Sequence, residues 1–167
     1  MLEASYLVHL LPPYHRNFGK RLVKTPKLYF FDVGLAAWLL GIRDPATLAL
    51  HPLRGALFET LIVSEVLKHW RNLALPADIY FWRDNNGLEA DLLIEEGSAL
   101  QPVEIKSGQT VTQDYIRAAQ RAGRIPGEEG RMPWLVHGGE ESYVHSGVRV
   151  IGWRALPGVL ADNSPIP

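Results

Sequence analysis

Three short runs with strand-like alternation, at residues 79–83, 88–94 and 100–106, are separated by two compact turn signals, Asn85-Asn86-Gly87 and Gly97-Ser98. Turns this short cannot house a crossover, so the runs predict a meander of three antiparallel strands. Just upstream the period changes: Phe58, Leu61, Ile62, Val66 and Trp70 recur at three- and four-residue intervals, the pattern of an amphipathic helix over residues 55–70. Downstream, residues 112–124 read as a second helix opening at Thr112 or Thr110, and residues 134–137 and 148–153 as two further strands. The order helix, three strands, helix, strand, strand predicts an α/β domain.

The first 54 residues read as an extension to that domain. Residues 6–14 and 22–31 look like paired strands around a basic turn containing Gly19, and Asp32 can cap a short apolar helix over 33–40 that Gly41 ends. Residues 43–54, with Pro45 and Pro52, read as a loop or broken turn. The expected organisation is therefore an extension at 1–54, a core at 55–155 and a loose, proline-containing tail at 156–167.

Composition narrows the chemistry. The 167 residues include no cysteine, which excludes disulfides, thiolate zinc sites and cysteine nucleophiles and leaves oxygen or imidazole as the metal ligands. The six histidines have no ligand spacing. The longest strongly apolar stretch, residues 33–42, is far shorter than the roughly 20 residues of a membrane span, and no signal-peptide pattern opens the chain, so a cytoplasmic location away from membranes is expected. Charge is uneven. Arg16, Lys20, Arg21, Lys24 and Lys27 oppose only Glu3 in the first 27 residues, leaving that arm at about +4 and the remainder at about −5. Such an arm either meets a phosphate backbone or a charged partner domain, or is a solvated hairpin. Arg83 can reach a phosphate or pair with Glu89.

The candidate site lies where charge interrupts the apolar pattern. Glu104 and Lys106 are two apart on one strand and share a face, while Val103 and Ile105 take the other; on the preceding strand Glu89 and Asp91 share a face, with Leu88, Ala90, Leu92 and Ile94 opposite. If the strands are neighbours, Asp91 and Glu104 approach closely enough to hold one cation. Glu59 falls within the apolar face of its helix, beside Ile62, Val63 and Val66, and a buried carboxylate needs compensation. A divalent metal shared with Asp91 and Glu104 would supply it; so would Lys106 alone, or a backbone group that Glu59 caps. In the metal reading Asp91 and Glu104 are the main ligands of Mg2+ or Mn2+, Glu59 an additional ligand or water-positioner, and Lys106 the stabiliser of developing negative charge.

These residues resemble the PD-(D/E)XK, or restriction-endonuclease-like, superfamily: Glu59 on the first helix, Asp91 in Leu-Glu-Ala-Asp-Leu-Leu-Ile, and Glu104-Ile105-Lys106 on the third strand follow its motif order. Lys27-Leu28-Tyr29-Phe30-Phe31-Asp32-Val33-Gly34-Leu35, Gly55-Ala56-Leu57-Phe58-Glu59 and Phe81-Trp82-Arg83 with Glu89-Ala90-Asp91 look like the C-terminal domain of a family of prokaryotic AAA+ ATPases. The resemblance implies a mixed central sheet flanked by helices, with an N-terminal strand and helix extension. It also implies an ATPase module normally on the same chain; no Gly-x-x-x-x-Gly-Lys-Ser/Thr string occurs here, so ATP hydrolysis is not expected of this chain alone.

Two functions are compatible with this reading. The first is a magnesium-dependent DNA phosphodiesterase working with the ATPase, with Glu59, Asp91, Glu104 and Lys106 as its catalytic group and Arg16, Lys20, Arg21, Lys24, Lys27 and Arg83 as candidate nucleic-acid contacts. The second is a catalytically idle nuclease fold that binds DNA or protein, itself or as a homo-oligomer, and regulates the ATPase.

Overall fold

A computed structural model describes residues 2–14, 25–83, 87–97, 99–124 and 131–163. Arg16, Gly19, Lys20, Arg21 and Lys24, the basic turn of the expected hairpin, lie outside the described residues, as do Asn85, Asn86 and Ser98.

The elements run β1 (Val8–Leu11), β2 (Lys27–Phe30), α1 (Val33–Leu39), α2 (Pro45–Leu50), α3 (Arg54–Asn72), β3 (Ile79–Arg83), β4 (Glu89–Glu96), β5 (Ala99–Lys106), α4 (Gln113–Ala122), β6 (Trp134–His137), β7 (Tyr143–His145), β8 (Val148–Gly152), a 3-10 turn (Trp153–Ala155) and α5 (Leu156–Asn163). β3 to β8 form one mixed sheet in the order β3-β4-β5-β6-β8-β7. The expected meander is its antiparallel half, β5, β6 and β8 are parallel, and β7 returns antiparallel on β8.

Helices cover both faces of the sheet. Ile62, Val63, Val66, Leu67 and Trp70 of α3 pack against Phe81, Leu92, Ile94, Val103, Ile105, Val136 and Ile151, so the helical stripe read from the sequence meets the strand faces it was spaced for. On the other side Ile116 and Ala119 of α4 pack on Leu135, Val148 and Val150. β1 and β2 pair antiparallel as a separate ribbon, from Val8↔Phe30 to Leu11↔Lys27. It is tied to the sheet edge, where Tyr14 N–H donates to the Phe81 carbonyl at 2.8 Å and Phe81 N–H to the Pro12 carbonyl at 3.1 Å. Asp32 caps α1 as expected, accepting from Gly34 and Leu35 N–H, and Gly41 follows the helix at φ +78°.

Four expectations change. Residues 43–54 are not simply a loop: Asp44 accepts from Thr47 N–H and Pro45 opens α2, a capped start with proline in its first turn. The tail is not loose up to Asn163, because Leu156 and Leu160 of α5 are buried in the cluster built on α3. β7 was not anticipated; the Ser146-Gly147 turn, with both residues at positive φ, forms the hairpin that carries it. The alternation along β4 also breaks. Tyr80 pairs with Leu93 but Trp82 with Ala90, so Asp91 and Leu92 together oppose Phe81 in a β-bulge. Ala90 and Leu92, expected on one face, belong to clusters on opposite sides of the sheet.

Candidate functional site

The bulge positions Asp91. The β4–β5 ladder runs from Glu96↔Ala99 to Leu92↔Val103 and stops there. Beyond that point Asp91 Oδ2 accepts the Ile105 N–H at 2.8 Å, filling with a side chain the place of a ladder acceptor. On β5, Val103 and Ile105 enter the α3-side core, and Glu104 and Lys106 share the alternate positions as the spacing predicted. Lys106 Nζ lies 2.6 Å from Glu104 Oε1 and 3.7 Å from Asp91 Oδ2. The two carboxylates are well buried, with side chains 14% and 9% exposed, and converge on one ammonium.

Their electrostatics follow from that crowding. Burial, and then the negative charge of Glu104, push the Asp91 carboxyl up to about 7; Lys106 and the Ile105 N–H oppose the rise without cancelling it. Burial disfavours the Lys106 charge, but Asp91 and Glu104 outweigh it and hold the ammonium above the ordinary lysine value. Asp91 and Lys106 both feel Glu59, which stands at one edge of the same group.

Glu59 finds partners that the sequence did not suggest, neither Lys106 nor a backbone group. Its Oε1 accepts from Lys27 Nζ at 3.2 Å and from the Tyr29 hydroxyl, both carried by β2. Lys27 Nζ also lies 2.9 Å from Glu89 Oε1, and Arg83 Nε is 3.8 Å from Glu89 Oε2, the ion pair weighed above for Arg83. Lys27, expected in the basic arm as a contact for nucleic acid or a charged partner domain or as part of a solvated hairpin, is thus an internal ion partner, and Tyr29 and Glu89 join the site. A signal for them was present: Lys27 and Tyr29 are two apart on a strand, hence on one face. Burial, then Glu59, raise the Tyr29 hydroxyl far above the usual phenol value.

As a donor set, Asp91 and Glu104 suit a hard divalent cation, since one lysine leaves the paired carboxylates short of positive charge. Glu59 is held aside by Lys27 and Tyr29. Among the described residues no three acidic or imidazole groups stand together at metal-binding spacing, so the fit is that of a carboxylate pair and not of a ready cage. A cavity of about 930 Å³ lies at the carboxyl ends of β5, β6 and β8, where parallel sheets commonly bind ligands; Arg54, Phe58, Ser107, Gly138, Trp153 and Arg154 are among its lining residues. The charged group itself does not line this cavity, but Phe58 and Ser107 adjoin Glu59 and Lys106 in sequence.

Among the described residues no helix is long and apolar enough to cross a membrane. In comparison with known protein families, residues 1–46 are similar to the domain of unknown function DUF8612, and residues 54–156 match the domain of unknown function DUF4143. Two proteins described as uncharacterized, from Mycobacterium bovis and Mycobacterium tuberculosis, are each 30% identical to this chain over 142 residues. The matched stretch is 85% of this chain and 30% of either relative, so the chain spans less than a third of the length of the curated relatives it matches. The match over residues 54–156 covers the sheet, α3, α4 and every member of the acidic group except Lys27 and Tyr29, and the chain belongs to the DUF4143 family, a domain of unknown function that occurs with AAA-type ATPase domains.

Proposed function

We propose that this chain is a restriction-endonuclease-like module that hydrolyses phosphodiester bonds in DNA with Mg2+ or Mn2+, and that it works with an AAA+ ATPase module of a longer protein. The observation that carries this reading is the bulge at Asp91, which brings its carboxylate and that of Glu104 to the same ammonium, Lys106. The order of α3, the β3–β5 meander, α4 and the parallel pair β5–β6 supports the fold-level part.

In this reading Asp91 and Glu104 hold the cation, which when bound polarises a phosphoryl oxygen and acidifies a water. Lys106 faces the charge that builds on the phosphoryl oxygens and on the leaving oxygen, in a partly buried setting where an ammonium counts for more than in bulk water. Glu59, its carboxylate oriented by Tyr29 and Lys27, sits where it can accept a hydrogen bond from a water at the edge of the group.

Labelled single- and double-stranded DNA incubated with Mn2+ tests the proposal. Cleavage by the wild type that falls by at least about 100-fold in Asp91→Ala, Glu104→Ala and Lys106→Ala is the expected result. Cleavage that survives Lys106→Ala points to a contaminant, and no cleavage by any protein rejects the enzyme.

A second reading is a catalytically idle fold that regulates the ATPase by binding DNA or protein. Every carboxylate of the group already meets a cationic side chain or its field, and the chain beyond its basic arm carries about −5, which favours this alternative. DNA binding that is unchanged in Asp91→Ala, without cleavage, would select it.

A further inference from the structure

Among the described residues two lysines divide the four carboxyl groups of the site between them, and Arg83 stands farther off, 3.8 Å from Glu89 Oε2. Lys106 serves Asp91 and Glu104, whereas Lys27 serves Glu59 and Glu89, 32 and 62 positions away in sequence. Lys27 is delivered from β2, outside the 54–156 match that holds Lys106 and the four carboxylates. Its ammonium lies 3.2 Å from Glu59 Oε1 and 2.9 Å from Glu89 Oε1, and 5.3 Å above the centre of the Phe81 ring. Tyr29, leaving β2 on the same face, donates its hydroxyl to the same Glu59 oxygen and fixes that carboxylate toward Lys27.

We infer that Lys27 is a tethered cation standing where a second divalent ion would otherwise sit, so that the site takes one metal ion, at Asp91 and Glu104, and Glu59 is a positioning residue instead of a ligand. The inference rests on the proposed function for the ion at Asp91 and Glu104, but not for the role of Lys27. A cation on a covalent stem is always at hand, so a free ion must displace it to gain Glu59 and Glu89, while Phe81 and the Tyr29 hydroxyl hold the stem and the carboxylate in place. The pair served by Lys106 differs. Its carboxylates are the more buried of the two pairs, and Lys106 approaches Asp91 no closer than 3.7 Å, leaving room in the charge balance for a divalent ion beside it.

Titration of the full chain with Mn2+, read as bound ions per chain by electron paramagnetic resonance and by calorimetry, tests this. Wild type and Lys27→Arg are expected to bind one ion, and Lys27→Met to bind two. The double variant Lys27→Met/Glu89→Gln, which removes one of the vacated carboxylates, returns to one. A cooperative thermal melt of each variant establishes that it is folded, and Lys27→Gln replaces Lys27→Met if the latter is not. Two ions on the wild type, or equal numbers and affinities on wild type and Lys27→Met, overturns the inference. If the wild type binds none and Lys27→Met gains one, Lys27 keeps its role and the ion at Asp91 and Glu104 is rejected; if both bind one, the reverse holds.

Discussion

Asp91 accepts the Ile105 N–H with its carboxylate at the point where its own strand parts from β5. One extra residue in β4 therefore does two things: it ends the ladder, and it aims a carboxylate across the break at the strand that bears Glu104 and Lys106. The structural role of Asp91 and its candidate catalytic role use the same side chain but different properties of it, an acceptor oxygen for the one and a negative charge for the other.

Asparagine and alanine should separate these two properties. Asp91→Asn keeps an acceptor for Ile105 and removes repulsion with Glu104, so its stability should equal or exceed that of the wild type. Asp91→Ala leaves a buried N–H unpaired and should cost about 1–3 kcal/mol. Urea denaturation of the three proteins reads the difference; equal losses in both variants would mean that the hydrogen bond contributes nothing to folding.

Much of this arrangement is legible in the sequence because it follows from local periodicity. The α3 stripe, the turn-punctuated meander and the shared positions of Glu104 and Lys106 need only the spacing of side chains on helices and strands. The bulge is not legible, since no glycine or proline marks Asp91 and the displacement depends on how β3 and β5 pair around it. The Lys27–Glu59 contact is not legible either: it joins residues 32 apart through the docking of a ribbon on the sheet edge. α2 and β7 are different, because Asp44-Pro45 and Ser146-Gly147 are local cap and turn signals present in the sequence itself.

Removing the ammonium of Lys106 should strain the two acids it serves. Breaking a fully buried ion pair costs roughly 3–5 kcal/mol, and because the Lys106 side chain is about a third exposed the loss in Lys106→Met should be smaller, about 1–3 kcal/mol near pH 8. Adding Asp91→Asn should recover part of it, and thermal denaturation of the double variant checks this. Additive losses would show that Asp91 and Lys106 are not coupled.

α5 should matter more than a loose tail would. Leu160 is 2% exposed in the cluster built on α3, so Leu160→Ala should cost about 2–4 kcal/mol through lost burial and a residual cavity. A change below about 0.5 kcal/mol in chemical denaturation would place α5 off the core in solution.

The crowding of Asp91 predicts the direction of a pH effect. With its carboxyl raised from 3.8 to about 7, the folded protein keeps a proton that the unfolded chain releases near pH 4. Between about pH 4 and pH 7 the folded state therefore binds more protons, and the contribution of Asp91 to stability falls as pH rises, then levels off once both states are ionised. The amide of Asp91→Asn does not titrate, so the stability of the wild type relative to this variant should decline from pH 4 to pH 7 and stay flat from pH 7 to pH 9. Taking the difference between the two proteins cancels the titration of groups they share, apart from the response of Glu104, Lys106 and Glu59 to the lost charge. Urea midpoints measured at unit pH intervals test it: a difference that rises with pH would mean that Lys106, and not burial with Glu104, governs the charge of Asp91.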